Sequence, residues 1–329
     1  MSLTGTSLQV PTRAESTATL WLELTPSCNL RCAFCYNPWR PGSKSAHPEK
    51  MAPQEYLAAV ERLVRRRRFS YIALSGGEPL LYPRLPALVS ALAASGQRTV
   101  LTTNGRLLSR ATLNRLTGAG LNGLQVPLLA ATPTVHDQLS GRASWAQAIR
   151  ALALGLEAGI STSATFIATA SNLDELPRVT ELLGLMGVGH LVVNEMHSEG
   201  SARNRPELAV QPLLLGTVLN QARRLAREHE LQLSFLPASG SNWPRPRDRS
   251  WHRLAVSPDG LLKLCNQSAR TLGPLNEISD EDLDGLMCDL ARGQVAGYRG
   301  RVDNCYCFDR LYGPDETAQT DMLHDAGVM

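Results

Sequence analysis

Cys28, Cys32 and Cys35 stand together in the run Ser27-Cys28-Asn29-Leu30-Arg31-Cys32-Ala33-Phe34-Cys35-Tyr36-Asn37. Three thiolates at this C-x3-C-x2-C spacing can hold three corners of a cubane iron–sulfur cluster, which normally takes four cysteines. Three ligands leave one iron open, and an open metal position is a place for chemistry rather than storage. The bland alternatives are a structural zinc knuckle and a disulfide framework. Zinc sites usually show paired C-x2-C units with His or Cys partners, and no second pair stands nearby. Disulfide frameworks suit short secreted chains, whereas this chain has 329 residues and no visible signal-peptide h-region.

The second chemical signal is Ser75-Gly76-Gly77-Glu78-Pro79, directly after the apolar run Tyr71-Ile72-Ala73-Leu74. A strand ending in two glycines lets backbone approach a ligand closely, and the adjacent carboxylate can take an ammonium group. Alone, the segment reads equally well as a plain turn.

Together the two motifs resemble the radical S-adenosylmethionine (SAM) superfamily, over about residues 21–312. The resemblance implies that Cys28, Cys32 and Cys35 ligate a [4Fe–4S] cluster whose open iron chelates the methionine part of SAM. It implies that Glu78, with the Gly76-Gly77 backbone and Pro79, holds the SAM amino group, and that Phe34 and Tyr36 lie near the adenine. Cleavage of SAM would yield a 5′-deoxyadenosyl radical that abstracts a substrate hydrogen atom. An electron donor such as flavodoxin or ferredoxin is implied.

Elements must bring these residues together. Residues 20–24 alternate as a first strand, and the cysteine loop follows. Residues 37–50 read as an exposed loop. Helical apolar spacing over 53–65 is followed by a strand at 72–74, a helix at 85–94 and a strand at 99–102. A helix over 107–120, a strand over 121–128, a loop, and a helix over 145–158 come next. A strand at 161–168, a helix from Asn172 to 185 and a strand at 190–195 complete six strand–helix units. This alternation argues a parallel sheet with right-handed crossovers, the resemblance specifying a partial (β/α)6 TIM-like barrel open on one side. Parallel barrels place chemistry at the C-terminal strand ends. The cysteine loop, Gly76-Gly77-Glu78, Thr103-Asn104 and Asn194-Glu195 all fall there. One departure bears on cofactor binding: the strand around Gln125 often ends Ser-Leu-Asp in the family, but here carries Pro127 and Leu129. Thr103, Asn104 and Gln125 are the remaining candidates for a ribose contact. Asn194 is a further cofactor candidate; Glu195 and His197 are expected to face the cavity. His136-Asp137 and Gly141 match a family loop of structural character.

After a helix at about 212–229, residues 237–250 read as a linker. Residues 254–265 read as a β-hairpin turning at Pro258-Asp259-Gly260, followed by an acidic helix at 279–291 and the pair Cys305-Tyr306-Cys307. This resembles the SPASM and twitch extensions of the superfamily, small α+β domains carrying auxiliary [4Fe–4S] clusters. Cys265, Cys305 and Cys307 match as ligands of a second cluster, against a zinc alternative. The upstream cysteine of the family is absent, leaving His252, Cys288, Asp248 or an open site as the fourth position. Cys288 reads first as a small core residue, next as that ligand, and last as a thiol hydrogen donor. The expected domains are a lead at 1–18, a barrel at 19–236, an auxiliary iron–sulfur domain at 237–312 and a tail at 313–329.

Composition narrows the partners. A net charge of +3 argues against nucleic acid, and no apolar run reaches membrane-spanning length. Seven cysteines, three in one loop, suit a reducing, cytoplasmic compartment. The run Arg65-Arg66-Arg67-Arg68 suits a helix C-terminus, with a patch for an acidic leader peptide as the alternative. Three substrate classes stay open: a ribosomally made peptide receiving a cross-link, thioether or inverted centre; a small molecule such as an aminosugar, nucleoside or amino acid; or a folded partner protein. A peptide substrate would call for a separate leader-binding protein.

Overall fold

A computed structural model of the chain describes residues 19–37, 51–66, 69–238, 253–263, 266 and 271–292. The expectations placed on Asp248, His252, Cys265, Cys305 and Cys307, and on the side chain of Cys288, lie outside the described residues.

Strands and helices alternate: β1 (Thr19–Glu23), α1 (Pro53–Arg66), β2 (Tyr71–Ser75), α2 (Leu85–Ala94), β3 (Thr99–Thr102), α3 (Arg110–Gly118), β4 (Gly123–Pro127), α4 (Pro133–Ser140), α5 (Trp145–Glu157), β5 (Ser161–Ala168), α6 (Leu176–Met186), β6 (His190–Glu195), α7 (Pro212–Glu228) and β7 (Gln232–Leu236). A hairpin of β8 (Arg253–Val256) and β9 (Leu261–Lys263), a short β10 (Gly273–Pro274) and α8 (Asp280–Arg292) follow. All form one sheet in the order β10-β9-β8-β1-β2-β3-β4-β5-β6-β7. The pairs from β8 through β1 to β7 are parallel; β9 and β10 add in antiparallel fashion. This is the expected α/β partial barrel. Three features were not anticipated: β7, helix α4 in a segment read as loop, and the pairing of β8 with β1. The sheet therefore runs across the boundary expected at residue 237.

Alternation along the strands divides the two faces. Leu20, Leu22, Ile72, Leu74, Leu101, Leu124, Val126, Phe166, Leu191 and Val193 point outward into one continuous core with the helices. Helix α1 supplies Tyr56, Val60, Leu63 and Val64 to that core. Its C-terminal Arg65 is exposed and meets Glu61 one turn back, as a solvated basic helix end would. The opposite, concave face carries Thr19, Trp21, Glu23, Ala73, Ser75, Thr102, Gln125, Ser163, Thr165 and Asn194, which register side by side. It mixes these polar and small residues with Val100, Pro127, Ile167 and Val192, where the convex face is almost wholly aliphatic. His190 Nε2 and Ser234 Oγ, 2.9 Å apart, close its lower end.

No helix among the described residues is long and apolar enough to cross a membrane.

Candidate functional site

The cysteine loop is a continuation of the β1–β2 ladder. Past the strand ends, Leu24 N donates to Ser75 O (2.9 Å), Gly77 N to Thr25 O (2.6 Å) and Glu78 N to Ser27 O (2.8 Å). The two motifs are thus zipped together by backbone. The approach explains both glycines. Gly76 has φ +120°, and a Cβ there would lie 2.7 Å from Thr25 O. A Cβ on Gly77 would lie 2.2 Å from Ser27 O.

The rest of the loop is held from two other sides. Arg31 N donates to Ser140 O (3.0 Å) and Ala33 N to Leu139 O (2.9 Å). Gly141, left-handed at φ +72°, ends α4 with its α-carbon face against Arg31 O. On the far side Ser201 N, in the short turn Gly200–Asn204, donates to Cys35 O (2.7 Å). Phe34 is half-buried in a small cluster with Leu129, Leu139, Met196, Ala202 and Leu208. The three thiols are half-buried and form no disulfide.

His136 and Asp137 build the α4 support. His136 Nδ1 accepts from Leu129 N (3.1 Å), which fixes the neutral tautomer with Nε2 toward Ser144 Oγ (3.2 Å). Burial pushes its pKa down to about 4, against a smaller opposing pull from Asp137. Asp137 Oδ1 accepts from Ser144 N and Trp145 N, both at 2.8 Å, and so caps α5. The expected structural role of this loop is what the hydrogen bonds show.

Glu78 is fully buried at the centre of the site. Its Oε1 accepts from Thr103 Oγ1 (2.6 Å) and Leu80 N (3.1 Å), and its Oε2 from Asn104 N (3.0 Å). Burial raises its pKa to about 6, while the Thr103 hydroxyl and the two backbone N–H groups pull it down. Pro79 opens the short turn that Glu78 caps. Asn104 Nδ2 donates to Asn29 Oδ1 (2.7 Å), inside the cysteine loop. Thr103 and Asn104, expected at the ribose, are therefore engaged with Glu78 and Asn29. Gln125 and Asn194 remain half-buried on the concave face, with Thr102 Oγ1 3.5 Å from Gln125 Oε1.

Glu195 departs from expectation. It has the parity of the convex face, and its Oε2 accepts from Ala238 N (2.8 Å), tying β6 to the chain after β7. His197 is half-buried.

Sequence reasoning missed four residues here. Asn29 is one. The others are Glu23, Lys263 and Asn266: Lys263 Nζ lies 2.8 Å from Glu23 Oε2 and 3.2 Å from Asn266 O, and Asn266 Nδ2 donates to Tyr36 Oη at 2.9 Å. Burial pushes the Glu23 carboxyl up to about 7, with Lys263 pulling the other way. The available signal was one acid and one base, each at the end of a short, mostly apolar strand.

Residues 22–183 match the radical SAM superfamily. Over 265 residues the chain is 30% identical to the PqqA peptide cyclase of Ruegeria pomeroyi, covering 77% of this chain and 68% of that protein. The chain belongs to the radical SAM superfamily. Solved structures share its fold. Streptococcus suis SuiB bound to S-adenosylmethionine aligns with a TM-score of 0.67 at 16% identity, covering 90% of this chain and 71% of that one. SuiB bound to its precursor peptide SuiA gives 0.66 at 15% identity, covering 90% and 70%. The SAM-bound enzyme anSMEcpe gives 0.65 at 13% identity, covering 84% of each chain.

Membership makes the chain an enzyme whose cofactors are a [4Fe–4S] cluster and SAM. The residues of this radical SAM chain fit them. The donor set is three thiols, the type such clusters require, on a loop anchored by hydrogen bonds from three sides. Among the described residues no three His, Cys, Asp or Glu side chains stand in a ready metal-holding array. Cys28, Cys32 and Cys35 are the residues that would hold such a cluster, and ligand binding of this kind draws its donors together.

Proposed function

We propose that this radical SAM enzyme modifies a ribosomally synthesised peptide, installing a cross-link, a thioether or an inverted centre. The observation that carries the reading is the 30% identity to a peptide cyclase across 265 residues. The concave face agrees with it. Around the site it carries the half-buried neutral side chains Thr102, Gln125 and Asn194 beside Ile167 and Val192, and the Glu23–Lys263 ion pair on it is self-compensated. Such a wall suits a neutral peptide segment better than a phosphorylated or acidic small molecule.

In this reading Cys28, Cys32 and Cys35 hold the cluster. Bound there, the cluster and SAM supply a 5′-deoxyadenosyl radical that takes a hydrogen atom from an unactivated C–H bond of the substrate. The protein's part is placement. The Gly76-Gly77 backbone, pressed on the cysteine loop, offers its polar groups to the SAM amino group. Glu78 takes three hydrogen bonds from its own chain. A carboxylate has about four acceptor sites, so one is left for that amino group. Thr103 and Asn104 act through Glu78 and Asn29. Gln125 and Asn194 are the polar groups facing the nucleoside, and Tyr36 borders the adenine side.

The same reading gives the C-terminal segment an auxiliary [4Fe–4S] cluster of SPASM or twitch type on Cys265, Cys305 and Cys307, with His252 or Cys288 as fourth ligand. A low-potential flavodoxin or ferredoxin is the electron donor.

The test incubates anaerobically reconstituted enzyme, SAM and reductant with a short precursor peptide encoded beside the gene, followed by mass spectrometry. A peptide that loses two hydrogens, or gains solvent deuterium, in step with 5′-deoxyadenosine supports the reading. An untouched peptide, with turnover of an aminosugar, nucleoside or free amino acid instead, overturns it.

A further inference from the structure

Glu23 and Lys263 form the one ion pair, among the described residues, with both side chains buried. Glu23 ends β1 on the concave face, shortly before Cys28 in sequence. Lys263 ends β9, the outer strand of the C-terminal hairpin, and registers beside Ala255 of β8, which registers beside Trp21 of β1. The lysine therefore reaches across β8 to the strand that feeds the cysteine loop. Glu23 Oε1 has no partner of its own, so all of the compensation for this buried acid comes from one ammonium group on Oε2.

A buried ion pair adds little net stability, because desolvation of both charges offsets their attraction. Its strength is specificity of register. Sliding β9 by one residue would turn Lys263 into the aliphatic convex core and leave Glu23 buried and unpaired. Lys263 thus fixes where β9 ends. It then also holds the Asn266 carbonyl at 3.2 Å, and Asn266 donates through Nδ2 to Tyr36 Oη at 2.9 Å. Tyr36 directly follows Cys35.

We propose that Glu23, Lys263, Asn266 and Tyr36 form a polar latch through which the C-terminal hairpin sets the Tyr36 end of the cysteine loop. Lys263 and Asn266 are positioning residues for the radical chemistry, acting through Tyr36 rather than touching the reacting atoms. The hairpin is held to the barrel independently by the β1–β8 ladder, by Tyr56 Oη donating to Val256 O (3.2 Å) and by Met51 N donating to Pro258 O (3.0 Å). The latch can therefore be cut without detaching the hairpin. The proposal rests on ligation of the cluster by Cys28, Cys32 and Cys35.

The test is a double-mutant cycle on reconstituted full-length enzyme: Tyr36→Phe, Asn266→Ala and the pair together, read by electron paramagnetic resonance of the reduced cluster with and without SAM and by SAM affinity. Each single change should shift the SAM-dependent spectrum and weaken SAM binding about two- to tenfold, the range of one net hydrogen bond. The pair should do no more than either alone, and iron content should stay at the parental level. Glu23→Gln with Lys263→Met, which removes both charges together, should shift the spectrum in the same sense. If that variant fails to fold, the Tyr36–Asn266 cycle still decides. Parental spectra and affinity in Asn266→Ala, or shifts that add in the pair, overturn the latch. Absence of iron from the parental enzyme would instead overturn the ligation on which it rests.

Discussion

Replacing Gly77 with alanine should damage this enzyme through one identifiable contact. The new methyl would sit 2.2 Å from Ser27 O, 2.6 Å from Ser27 C and 2.9 Å from Pro26 O, all backbone atoms. Contacts under 3.0 Å essentially never occur for a real Cβ, so the Ser27 carbonyl must withdraw by about 1 Å. Gly77 does not have a left-handed φ, so backbone strain at the residue itself is not the cause. The withdrawal stretches the 2.8 Å bond from Glu78 N to Ser27 O. Overpacking of this kind costs about 1–3 kcal/mol and the weakened bond about 1 kcal/mol more. A melting temperature lower by roughly 3–6 °C follows. The catalytic effect is larger, because Ser27 adjoins Cys28: a displacement near 1 Å at reacting groups costs about a hundredfold in rate. The assay is 5′-deoxyadenosine formation beside thermal melting, with Gly285→Ala as control. Gly285 lies in α8 with nothing within 4 Å of its added Cβ, so alanine there should be neutral or stabilising by about 0.5–1 kcal/mol. If Gly77→Ala melts and reacts like the parent, the close seating of Gly77 on the cysteine loop is wrong.

Three further outcomes follow from the site. Glu78 has its carboxyl raised from 4.5 to about 6, so its contribution to stability is full below pH 4.5 and is lost as pH rises through 6. That amounts to about 2 kcal/mol, and Glu78→Gln should remove this part of the profile in metal-free melts. His136 has its pKa lowered from 6.5 to about 4, so its contribution is full above pH 6.5 and is lost as pH falls toward 4, about 3 kcal/mol in all. Melts of His136→Gln should be flatter than the parent over that window. Asp137→Ala removes the acceptor that caps α5 and should cost about 1–2 kcal/mol in denaturant unfolding.

Much of this was legible in the residues. The strand segments at 72–74, 99–102 and 161–168 and the helical spacing between them gave the βα order. Motif positions at strand ends gave the location of the site. Three things were not legible, each for a physical reason. Strand β7, with the sequence Gln232-Leu233-Ser234-Phe235-Leu236, is only partly buried, so its pattern is weak. Helix α4 begins at Pro133 without a side-chain cap, and Pro with Thr reads as loop until its contacts with Leu129 and the cysteine loop are known. The Glu23–Lys263 pair joins residues far apart in sequence through the β1–β8 pairing, a long-range contact that no local pattern encodes. The same limit hid Asn29, whose partner Asn104 is set by the β2–β3 crossover. Glu78 was recognised by its motif, yet its bonds to Thr103 and Asn104 belong to a neighbouring strand end.

The most direct test of the central claim is 5′-deoxyadenosine formation from SAM under a low-potential reductant, comparing the parent with the variant carrying Cys28→Ala, Cys32→Ala and Cys35→Ala. The account predicts steady formation by the parent and none by the variant. SAM cleavage that persists in the variant would contradict it, because the chemistry would then not depend on the cysteine loop that the barrel is built to hold.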